Sequence, residues 1–81
     1  MTLNELKPGK NAMVIAVHGE GALRRRLLDM GLTPKTKIFM RKVAPLGDPI
    51  EIKLRGYELT LRLEDATKIE IVQLTETEEK N

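Results

Sequence analysis

In Ile50-Glu51-Ile52-Lys53-Leu54 apolar and charged side chains alternate without a break, and after Arg55-Gly56 the alternation resumes through Tyr57-Glu58-Leu59-Thr60-Leu61-Arg62-Leu63. A period of two is the period of a β-strand, so each run has one dry face and one wet face. The two-residue gap with its glycine reads as a tight hairpin. A lone hairpin is marginal in water, so its dry face needs further strands to cover it.

Those strands lie on either side in the chain. Ala12 to Val17 is apolar and β-prone, Lys37 to Val43 reads as another strand, and Ile69, Ile71 and Leu74 supply a last short one. Between the first two the period changes. Leu23, Leu27 and Met30 recur at spacings of four and three, with Arg24, Arg25, Arg26 and Asp29 between them. This is one apolar face of a short helix over Ala22–Met30. Gly31, Leu32 and Pro34 then give the order of a helix stop: a left-handed glycine, a hydrophobic residue folding back, and a proline.

The remaining segments are punctuation. Thr2-Leu3-Asn4-Glu5 matches a capping box ahead of Lys7-Pro8-Gly9, which predicts a single helical turn. Ala44-Pro45-Leu46-Gly47-Asp48-Pro49 has two prolines and a Gly-Asp pair in six residues, so it must be a loop. Glu64 to Thr67 reads as a turn or a single helical turn. The prediction is an all-β class, mainly β with one short helix: a small SH3-like barrel of about five strands, since closure removes exposed strand edges. Residues 1–75 form one domain, and 76–81 are an acidic tail expected to be disordered.

A chain of 81 residues has room for one core only, and a core of this size is marginal. Cysteine is absent, so no disulfide reinforces it, and a reducing cytoplasmic setting is expected. A binding partner becomes correspondingly more attractive. The net charge is +2, with +4 on the body and −2 on Glu76–Asn81. No uncharged apolar run approaches the ~20 residues that span a bilayer, so no membrane insertion is expected. Met1–Glu5 has no character of a secretory signal.

The inventory also argues against catalysis. Without Ser or Cys the usual acyl-transfer nucleophiles are missing, and a single His cannot form a His-rich metal site. No phosphate-binding loop is present. No catalytic, cofactor-binding or metal-binding residue is assigned: His18, Glu20, Asp29 and Asp48 are candidate metal donors by type, but their spacing matches no ligand motif. Arg24-Arg25-Arg26 could meet phosphate, yet Phe39 and Tyr57 are the only aromatic residues, too few for the stacking platforms of a single-strand binder. No nucleic acid is expected as a partner.

Leu23-Arg24-Arg25-Arg26-Leu27-Leu28-Asp29-Met30-Gly31-Leu32 and Ala44-Pro45-Leu46-Gly47-Asp48-Pro49-Ile50 are the distinctive stretches. With Arg55-Gly56-Tyr57 and Leu61-Arg62-Leu63-Glu64-Asp65-Ala66 they resemble the FeoA family, from Leu3 to Ile71. One departure is Lys35, after Thr33-Pro34, where the family pattern usually has glycine. The resemblance implies an SH3-like fold and a role in bacterial ferrous iron uptake. The partner it implies is the membrane transporter FeoB, on its cytoplasmic G-domain side.

The docking surface expected on that basis joins Arg24, Arg25 and Leu28 of the helix to Pro45, Leu46 and Asp48 of the loop. Leu28, off the main apolar face, would be an exposed anchor. A bolder consequence has Arg24 or Arg25 act in trans on bound GTP. The alternative reading is a free-standing metal-responsive regulator related to the C-terminal domain of DtxR-type repressors. A weak homo-oligomer is a third expectation.

Overall fold

The computed structural model describes residues 1–75; the acidic tail lies outside the described residues. Five antiparallel strands form one sheet: β1 (Asn11–Val17), β2 (Lys37–Val43), β3 (Ile50–Leu54), β4 (Tyr57–Leu61) and β5 (Ile69–Gln73), in the order β4-β3-β2-β1-β5. Two helices interrupt them, α1 (Gly21–Asp29) and α2 (Leu63–Ala66). A 3-10 turn over Leu3–Glu5 precedes β1.

The inward residues of all five strands meet in one core. Val14, Ile38, Met40, Ile50, Ile52, Leu61, Ile69 and Ile71 are buried, and Leu3 and Leu27 plug it from the turn and from α1. Each such side chain contributes about 1.5–3 kcal/mol on burial. Two bulges, between Val14 and Ala16 and between Met40 and Lys42, interrupt the ladders. Bulges sharpen strand twist and let a small sheet curl round its core. β4 and β5 are not paired with each other, and α2 joins them.

α1 ends as its residues dictate. Gly31 has φ +102, its N–H donates to the Leu28 carbonyl at 3.0 Å, and the Leu32 N–H donates to the Leu27 carbonyl at 3.2 Å. These are the two bonds of a Schellman motif, with fully buried Leu32 folded back beside Leu27.

Four residues later comes a second tight turn. Thr33-Pro34-Lys35-Thr36 closes with the Thr36 N–H on the Thr33 carbonyl at 3.1 Å, and Lys35 has φ +74. Proline followed by a positive φ is the signature of a type II turn, which favours glycine at that second position. The turn is pinned to β1, because Lys35 N–H donates to the Val14 carbonyl at 2.7 Å and Val14 N–H to the Thr36 carbonyl at 2.9 Å.

The β3–β4 hairpin has Arg55 at φ +48 and Gly56 at φ +83, as a two-residue primed turn requires. Arg55 Nη2 donates to Thr33 Oγ1 at 3.0 Å and Thr36 Oγ1 at 2.9 Å, tying the hairpin tip to the type II turn. Thr36 is the buried polar residue of the core region, and this guanidinium satisfies its hydroxyl.

One strand is shorter than its pattern. The alternation predicts β4 through Leu63, but the strand stops at Leu61. The Leu63 N–H donates to Asp48 Oδ1 at 2.9 Å, and Leu63 becomes the first residue of α2.

Candidate docking surface

The helix and the β2–β3 loop both border Thr60, an exposed residue of β4. On one side of Thr60 lies an apolar groove of about 340 Å³, walled by Val43, Ala44, Pro45, Pro49 and Ile50, with Lys42 and Glu51 at its rim. On the other side a more polar groove of about 240 Å³ is lined by Arg26, Met30, Leu61, Arg62 and Asp65. The two form one continuous face running from the loop to the C-terminal turn of α1.

The loop is held internally. The Ala44 N–H donates to the Pro49 carbonyl at 3.0 Å and the Gly47 N–H to the Ala44 carbonyl at 2.7 Å, with Gly47 at φ +90. Two prolines and the Asp48–Leu63 bond remove most of the remaining freedom. At the tip, Leu46 is 96% exposed, which no contact in the fold compensates. An apolar side chain presented in this way on a fixed loop loses little entropy when a partner buries it. Pro45 is also exposed and lines the apolar groove.

The expected helix residues divide. Arg25 is exposed and, among the described residues, has no ion pair. Arg24 turns back, its Nε donating to the Val17 carbonyl at 3.1 Å, which anchors the guanidinium against β1. Leu28 is not the exposed anchor expected of it: it is half-buried and packs against the core. One residue past Leu27 is a rotation of roughly 100°, enough to leave a side chain at the margin of the apolar face and not beyond it.

What α1 and its C-cap bring to the Thr60 face is instead Arg26 and Met30, one turn apart. Arg26 Nη2 lies 3.4 Å from Asp65 Oδ2, so it is steered toward α2. Met30, placed by its spacing on the apolar face of the helix, packs against the core and also lines this groove. Thr60 and Arg62 were missed because they read only as the wet side of a strand.

The candidate metal donors stay apart. His18 Nε2 pairs with Glu70 Oε1 at 3.0 Å on the surface, and Asp48 accepts from Leu63. Among the described residues no three of His, Cys, Asp and Glu gather into a cluster. Among the described residues, the carboxyl held below its ordinary range belongs to Glu5, which accepts the Thr2 backbone N–H at 2.7 Å and the Thr2 hydroxyl at 3.0 Å. Glu5 belongs to the N-terminal 3-10 turn and lines neither groove.

Comparison with known proteins gives a consistent picture. Residues 1–73 match the model of the FeoA domain. A fusion of Fe(2+) transport protein A with the Fe(2+) transporter FeoB, from Porphyromonas gingivalis, is 41% identical over 71 residues, 88% of this chain. The aligned stretch is 8% of that much longer protein. The solution structure of FeoA from Chlorobium tepidum is 45% identical, with a TM-score of 0.85 over 93% of this chain and 71% of that one. A zinc complex of FeoA from Stenotrophomonas maltophilia, described as a prokaryotic SH3 domain protein, is 28% identical, with a TM-score of 0.78 over 89% of each chain.

Proposed function

The chain belongs to the FeoA family, and from that premise we propose that it is a non-enzymatic accessory of ferrous iron uptake that docks onto the cytoplasmic part of FeoB. The observation that carries this reading is the fusion, in which a homologue 41% identical to this chain shares one polypeptide with FeoB. Covalent linkage raises the effective concentration of one module at the other, a gain that matters only where the two meet. The same reading puts the protein in the cytoplasm. It agrees with the finding that no helix among the described residues is long and apolar enough to cross a membrane.

The face around Thr60 supplies the means. Leu46 offers an apolar anchor, and the groove beside it has room for an apolar side chain in return. Arg26 and Arg62 flank it with positive charge suited to acidic groups on a partner. This arrangement is a small interface with a hydrophobic centre and a charged rim.

The test is co-purification. Immobilised protein is incubated with solubilised membranes containing FeoB, and separately with the isolated cytoplasmic part of FeoB. Retention of both is expected. Failure to retain either would remove the docking proposal.

A further inference from the structure

β4 is hydrogen-bonded on one side only. At the other end of the sheet the outer edge of β5 is covered, since Ile71 N–H donates to the Met1 carbonyl at 2.8 Å and Thr2 bridges to Glu70. Among the described residues nothing covers β4 in the same way. Because Leu54 faces Tyr57 across a two-residue turn, the backbone groups of Tyr57, Leu59 and Leu61 point toward β3. Those of Glu58 and Thr60 point away, as does the N–H of Arg62. The Arg62 carbonyl is already taken by the Ala66 N–H at 3.1 Å.

The side chains on this edge decide what fits it. Glu58, Thr60 and Arg62 are all exposed and stand on the same face, where Glu58 already meets Arg41 Nη1 at 2.5 Å and keeps a second carboxylate oxygen for an incoming cation. Read backwards, acid-x-Thr-x-base becomes base-x-Thr-x-acid, so the edge is its own complement in antiparallel pairing. With Thr60 opposite Thr60 of a second copy, each Glu58 faces an Arg62, twice over by symmetry. The two Thr60 residues exchange N–H and carbonyl groups, and each Arg62 N–H reaches the Glu58 carbonyl across the axis. Opposite charges and Thr–Thr pairs are favourable cross-strand neighbours, and an isologous contact of this kind closes on itself.

We propose that β4 is a self-pairing edge through which two copies of this chain form an antiparallel homodimer with Thr60 on the two-fold axis. The dimer is weak, because the shared ladder is short and much of the contact is polar. Thr60 also borders both grooves of the docking face, so self-pairing and docking compete for it.

The test uses the full chain alone, without FeoB or iron, so its failure is separate from failure of the docking proposal. Sedimentation equilibrium from about 10 μM to about 1 mM should show reversible dimerisation. Among the described residues the Thr60 N–H has no partner, and it sits where an edge strand tolerates proline, so Thr60→Pro should give a folded monomer. Glu58→Arg and Arg62→Glu should each lower the association constant roughly tenfold, and the double exchange should restore it. A monomer throughout the range, or dimerisation unchanged in Thr60→Pro with no rescue by the charge exchange, would overturn the proposal. So would dimerisation that appears only after residues 76–81 are deleted, since the tail would then be the natural occupant of the edge.

Discussion

The Asp48 carboxylate accepts a hydrogen bond from the Leu63 backbone N–H at 2.9 Å, and this bond fastens the β2–β3 loop to the start of α2. Leu63 is the first residue of α2, and its N–H is one of the donors that a helix leaves without an internal partner. Asp48 therefore caps a helix from a loop fifteen residues earlier in the chain. Removing it should cost what a lost cap costs. Asp48→Ala is expected to destabilise the fold by about 1 kcal/mol, lowering Tm by roughly 4–8 °C, while Asp48→Asn keeps most of the bond and most of the stability. Thermal unfolding of the two variants checks this.

Gly31 is constrained twice. Its φ of +102 disfavours any side chain, and a Cβ built there would lie 2.5 Å from Tyr57 Oη. The Tyr57 hydroxyl donates to the Met30 carbonyl, so it is not free to swing aside without losing that bond. Gly31→Ala should cost roughly 1–3 kcal/mol. Adding Tyr57→Leu should recover the part due to the clash and leave the part due to the backbone. Urea unfolding of the single and double variants separates the two.

Lys35 carries the opposite opportunity. It holds φ +74 at a type II turn position where glycine is unstrained. Lys35→Gly relieves a left-handed residue but adds freedom to the unfolded chain, for an expected net gain of about 0.5–1 kcal/mol. The midpoint of urea unfolding should rise with no change in slope.

The Glu5 carboxyl is held below its ordinary value of 4.5, first by the Thr2 backbone N–H and then by the Thr2 hydroxyl. A depressed carboxyl contributes stability that is present above the ordinary value and is lost as pH falls through the folded one. Glu5→Gln should therefore be less stable than the native chain near neutrality and should converge with it as pH drops below about 4.5. Unfolding followed between pH 3 and pH 7 tests the sign.

How much could be read in advance follows from distance along the chain. The Schellman end of α1 was legible because every residue it needs lies within Leu27–Leu32. The hairpin was legible because alternation and Arg55-Gly56 are local signals. The turn at Lys35 was harder, since its positive φ is signalled by glycine and the chain has lysine there. The brace from Arg55 to Thr33 and Thr36 crosses about twenty residues and leaves no pattern. The candidate surface divided the same way. Proline and glycine content marked the loop, and the sequence placed Leu46 in it; that α1 reaches Thr60 through Arg26 and Met30, with Leu28 packed inward, depends on how the helix is rotated against the sheet.

Docking of the Thr60 face onto FeoB, with Leu46 as its anchor, is read out most directly by calorimetric titration of the isolated cytoplasmic part of FeoB. Leu46 is 96% exposed among the described residues, so Leu46→Glu should unfold at the same temperature as the native chain. Leu46→Glu should weaken binding at least roughly tenfold, the scale of losing one buried apolar anchor and placing a charge in its stead. Equal affinity of the native chain and Leu46→Glu would contradict it.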